Sequence, residues 1–145
     1  MKLSIPQQYP PPSPEAIQLI HDSTQVMSGF LYFHRIPHPT ASTVVYSSQY
    51  VSTVLRENNF SRIVLDFTDR HLVDHKLRRL MLQYISDTLI LMSDVAIVID
   101  GSPFRKMIID FFVRAYLSNA KVDVTFWAEK QPALDYMNSL AESST

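Results

Sequence analysis

The chain has 145 residues, enough for one domain of ordinary size, and 46% of them are hydrophobic, so a single sizeable core is expected. Its 13 basic and 14 acidic residues leave a formal net charge of -1, which excludes a whole-protein field for nucleic acid or an anionic membrane. The absence of cysteine excludes disulfides, thiolate nucleophiles and Cys-based metal sites, and two glycines, Gly29 and Gly101, are too few for a phosphate-cradling Gly-rich loop.

MKLSIPQQYPPPSP has no apolar run and cannot serve as a secretory signal. The longest greasy stretch, 89–99, is about half of the roughly 20 residues that a membrane span needs. A soluble, cytoplasmic protein is expected. Residues 1–12 read as a Pro-rich tail, since Pro6 and Pro10 to Pro12 favour extended polyproline conformations, and 13–145 as a single domain. Ser13-Pro14-Glu15 then gives an N-cap with proline at the first helical position, opening a short helix that ends near Ser23. The aromatic run from Val26 to Ile36 predicts one strand, closed by Pro37 and Pro39. Between Thr40 and Asn58 the spacing of Val44, Val51, Val54 and Leu55 favours a helix over the strand that Thr43-Val44-Val45 suggests.

From Arg62 to Phe67 the chain is continuously apolar, as in a strand covered on both faces. Leu77, Leu80, Met81, Tyr84 and Ile85 follow at helical spacing, with Arg78, Arg79 and Gln83 opposite. VAIVID, 95–100, is a strand, and Gly101-Ser102-Pro103 opens a helix with a broad apolar face that includes Met107, Ile108, Phe111 and Phe112. Val122 to Trp127 predicts a strand and Gln131 to Leu140 a closing helix. Strands alternating with helices over long connections define an α/β fold: a mostly parallel sheet of four to five strands flanked by four to five helices.

In such a sheet the strand C-termini share one edge, where α/β domains place ligands. That edge gathers Asp66, Thr68, Asp69, His71, Asp74, His75 and Lys76 with Gly101, Ser102 and Arg105, and the helix start at Pro103 favours an anion. Helix capping alone accounts for Asp74 and Ser102. The pairs His71/His75 and His34/His38 have metal-like intervals but no helix to give the spacing meaning, so no metal is expected. Thr68, His71 and Asp74 supply the residue types of a hydrolase without a recognised nucleophile elbow. The stripe from Met107 to Leu117 suits either core packing or an apolar ligand or membrane surface.

The stretch LDFTDRHLVD, 65–74, resembles the bacterial STAS domains of anti-sigma-factor antagonists. Leu65, Asp66, Phe67 and Thr68 match that family's strand end, and Val73 and Asp74 its apolar-Asp pair. VAIVIDGSPFRKMIIDFFVRAYL and VDVTFWAEKQPALDYM are similar to its closing half, so the resemblance spans roughly residues 26–141. It implies a non-enzymatic regulatory module without cofactor. The family's phosphoacceptor serine is replaced by His75, followed by Lys76, so the serine phosphoswitch is absent, and Thr68 and Ser102 are the nearby hydroxyls. The expected function is therefore binding of a partner protein or small ligand at Thr68, Asp69, Asp74, His75, Lys76, Gly101, Ser102 and Arg105. The alternative is a lipid-like apolar ligand or peripheral membrane contact at Met107, Ile108, Phe111 and Phe112. Neither involves nucleic acid, and a homodimer is compatible with both.

Overall fold

A computed structural model of the chain describes residues 9–68, 75–99, 110 and 121–143. Its elements are α1 (Pro14–Asp22), β1 (Thr24–Val26), β2 (Leu31–His34), α2 (Ala41–Glu57), β3 (Arg62–Asp66), α3 (His75–Leu89), β4 (Asp94–Val98), β5 (Asp123–Trp127) and α4 (Lys130–Ser143). The α/β class and the mostly parallel sheet expected from the alternating pattern are both found. The strands lie in chain order, β1-β2-β3-β4-β5. β2 to β5 are parallel, with Tyr32 opposite Val64, Val64 opposite Ala96 and Ala96 opposite Thr125.

One element differs from the sequence reading. The strand expected over Val26 to Ile36 is two strands, β1 and β2, paired antiparallel with Gln25 opposite Tyr32. They are joined by a tight turn closed by the Met27 N–H donating to the Phe30 carbonyl at 2.9 Å. Gly29 takes φ +88°, and a Cβ built there would stand 2.8 Å from the Ala141 Cβ of α4. Both the dihedral and the close approach require glycine. Turn chemistry at Ser28-Gly29 thus separates Val26 from the aromatic run that begins at Phe30, which periodicity alone does not register.

Helix boundaries follow local chemistry. Ser13 caps α1 by accepting from the Ala16 N–H at 3.2 Å. Thr40 and Thr43 form a reciprocal capping box at the start of α2, and this settles the helix-or-strand ambiguity of its β-branched run. At the other end Asn59 takes φ +55°, and the Phe60 and Asn59 amides donate to the Leu55 and Arg56 carbonyls, a Schellman stop.

The side-chain period of two gives the sheet two faces. Leu31, Ile63, Leu65, Val95 and Ile97 pack with Val44, Val51, Val54 and Leu55 of α2 and Met81 and Leu89 of α3. Tyr32, Val64, Ala96 and Val98 pack with Phe30 and with Ala133, Leu134 and Met137 of α4. Burying a large aliphatic side chain contributes about 1.5–3 kcal/mol, so these two clusters dominate the stability of the fold. No described helix is long and apolar enough to cross a membrane. The expected helix from Ser102, with Met107, Ile108, Phe111 and Phe112, lies outside the described residues.

Candidate functional site

The carboxyl edge of the parallel strands is stitched past the strand ends. Arg35 N–H donates to the Asp66 carbonyl at 3.0 Å, Phe67 N–H to Val98 at 2.7 Å, and Ile99 N–H to Trp127 at 2.8 Å. Within this edge the Asp66 side chain is 3% exposed. It accepts the Tyr32 hydroxyl on Oδ2. Its Oδ1 accepts the Thr68 N–H at 2.9 Å and the Thr68 hydroxyl at 2.7 Å. The register that sets Tyr32 opposite Val64 leaves Tyr32 and Asp66 on the same face, two residues offset, within reach of a phenol. Burial first, then the hydrogen bond to Asp66, holds the Tyr32 hydroxyl far above its ordinary range, so it stays a donor. Lys130 Nζ lies 4.4 Å from the centroid of the Tyr32 ring, a cation-π contact at the start of α4.

On the other face of the sheet a cleft opens between α2, α3 and the strand ends. Its free volume is about 70 Å³. Phe33, Ile63, Leu65 and Phe67 form its floor, Val44 and Val51 one wall, and Met81, Ile85 and Leu89 the other. Arg35, Thr43, Ser47, Ser48, Tyr84 and Thr88 add the polar atoms of its lining, and Arg35 is 4% exposed. The hydroxyls are partly engaged with one another: Ser48 donates to the Tyr84 carbonyl at 3.3 Å, and Ser52 and Thr88 are 3.1 Å apart. The cleft exists because α2 faces the sheet with short side chains, Thr43, Val44, Ser47 and Ser48, which span less than the distance a Leu or Met would fill. A single water needs roughly 10–15 Å³ on this measure, so the space suits a compact apolar group.

Of the residues expected at the edge, Thr68 is there and is tied to Asp66, while Lys76 stands exposed in the first turn of α3. His75 opens α3. Asp69, His71, Asp74, Gly101, Ser102 and Arg105 lie outside the described residues, so no hydrolase grouping around Thr68 is traced. His34 ends β2 and His38 follows it in a loop at φ +50°, so their four-residue interval lies on no helix. Tyr32, Arg35 and the cleft were not legible as site residues. Tyr32 sits in an aromatic strand that reads as core, and the cleft is assembled from four separate segments, 33–36, 43–51, 63–67 and 81–89.

Comparison with known proteins finds no protein-family model and no curated protein that matches the chain. Fold and site together define an α/β sheet protein with a hydrogen-bonded carboxyl edge and an adjoining apolar cleft.

Proposed function

We propose that the chain is a non-catalytic, STAS-like binding module that takes a small ligand at the carboxyl edge of its sheet, with the ligand's apolar part in the α2–α3 cleft. The observation that carries this reading is the cleft itself, apolar on three sides and reaching the strand ends at Arg35 and Phe67. Ligand sites are typically concave and apolar with a few placed polar groups, and the edge of an open α/β sheet is where they are found. The Tyr32-Asp66-Thr68 network supports binding over catalysis. Its carboxyl accepts three hydrogen bonds from its own chain and is buried, which suits a part that fixes the edge. The apolar-ligand alternative thereby moves from the Met107 stripe to a cleft whose walls are described.

The test is titration of the protein with indole, a compact neutral apolar probe, followed by methyl NMR. The expected result is saturable shifts confined to Met81, Ile85, Leu89 and Val44. Ser47→Phe, which directs a ring into the same space, should abolish them while leaving the far-UV circular dichroism unchanged. Shifts spread over the surface, or none at these methyls, would overturn the reading.

A further inference from the structure

The cleft has a charge as well as a shape. Among the described residues, its lining holds one charged side chain, Arg35, and no Asp or Glu. The alternation that turns Leu31 and Phe33 toward α2 and α3 continues past the end of β2 to Arg35, whose N–H extends the parallel ladder by donating to the Asp66 carbonyl at 3.0 Å. Arg35 therefore stands where the cleft meets the carboxyl edge, and it is 4% exposed. The Asp66 carboxylate is turned to the other face of the sheet, where Tyr32 and Thr68 hold it.

That placement selects the chemistry of the ligand. A charge withdrawn from water is costly unless it is met by opposite charge or hydrogen bonds. Arg35 has an interaction within its own chain, and a guanidinium, with several N–H donors in a planar fork, can serve an internal partner and a ligand together. A carboxylate matches that fork with paired hydrogen bonds. One cation also balances a monoanion, whereas a phosphate dianion would leave a charge unmatched against an apolar wall. With about 70 Å³ of free volume, the body attached to the carboxylate has to be compact.

We infer that the ligand of the α2–α3 cleft is a small monocarboxylic acid bound as its anion, with its apolar body between the helices and its carboxylate on the Arg35 guanidinium. The inference rests on the binding role proposed for the cleft and adds the class of ligand. It also fixes a sign. An apolar cleft without a participating cation prefers a neutral molecule to its anionic isostere, because the anion gives up more hydration. Arg35 reverses that order.

The experiment titrates the full-length chain at neutral pH with benzoate and with benzamide, which have nearly the same shape and differ in charge, and uses indole as the reference for the cleft. Benzoate should bind about tenfold more tightly than benzamide, the effect of one hydrogen-bonded charge pair. It should also shift the Arg35 Nε–Hε signal in proton-nitrogen NMR, and benzamide should not. In Arg35→Met the preference for benzoate should vanish or reverse. Equal affinities in the unaltered chain, tighter binding of benzamide, or a benzoate preference that persists in Arg35→Met overturns the inference, and indole shifts at the Met81 and Ile85 methyls would then still mark the cleft as a binding site. If Arg35→Met does not fold, the unaltered chain decides: an Arg35 Nε–Hε signal unmoved by saturating benzoate overturns the inference. Binding of none of the three probes removes the binding role of the cleft and the ligand class with it.

Discussion

On the α4 side of the sheet Phe30, Ala96, Val98, Ala133 and Met137 have no accessible surface, whereas on the α2 and α3 side the same sheet borders a cleft of about 70 Å³. The difference is one of side-chain size at the contacts. Where α4 approaches, Gly29 stands against Ala141, and Ala96 and Ala133 join the same cluster, so backbones come close and long side chains interdigitate. Where α2 lies, short side chains stop before the volume is filled. One face is built for closeness and the other for vacancy, and substitutions should report that asymmetry.

The largest effect is expected from Phe30→Ala, which empties the tight face and should cost about 4 kcal/mol in urea unfolding. Overpacking the same face with Ala133→Leu should cost about 2–3 kcal/mol, because a fully buried alanine has no space for three more carbons. Asp66→Ala deprives the buried Tyr32 hydroxyl and the Thr68 donors of their acceptor, and about 2 kcal/mol should be lost. Asp66→Asn keeps one carbonyl oxygen and should lose about half as much. Little change in Asp66→Ala would mean that the edge is not held by this network.

Alkaline pH probes the same tyrosine. Its hydroxyl ionises far more readily in the unfolded chain than in the folded one. Above about pH 10 the unfolded state therefore holds fewer protons, and the derivative of unfolding free energy with pH is negative. Stability contributed by Tyr32 is complete below that pH and is lost as pH rises toward the folded value, by up to about 1.4 kcal/mol per pH unit. Tyr32→Phe should be less stable at neutral pH by about 1 kcal/mol and should show a shallower alkaline decline. An unchanged decline would assign it to other tyrosines, since burial also raises Tyr50, Tyr84 and Tyr136.

How much of this was legible in the sequence depends on how local each cause is. Ser13-Pro14 announced α1, and Val44, Val51, Val54 and Leu55 announced the buried stripe of α2, because caps and helical periodicity act within a few residues. Ser28-Gly29 is a local turn signal as well, but the apolar residues on both sides of it, Val26 and Met27 before and Phe30 to Phe33 after, read as one continuous strand. Thr68 was placed at the edge by topology alone. Tyr32 meeting Asp66 depends on the register of two strands 34 positions apart in sequence, which no local pattern encodes. The cleft is less legible still, being defined by where three elements fail to touch.

The smallest expected effect is the one that separates the two faces most cleanly. Val51→Leu adds one methylene on the cleft side, at a residue that is 5% exposed and would count as core by burial alone. In a close-packed interior such an addition costs about 1–3 kcal/mol. Here the extra carbon has free volume beside it, so the change should be near zero, or stabilising by up to about 0.8 kcal/mol from one more buried CH₂. The same substitution should weaken indole binding, because the methylene takes space from the probe. A measured loss of about 1 kcal/mol or more would mean that this face is as closely packed in solution as the α4 face, and the cleft would then lose its claim to be a binding site.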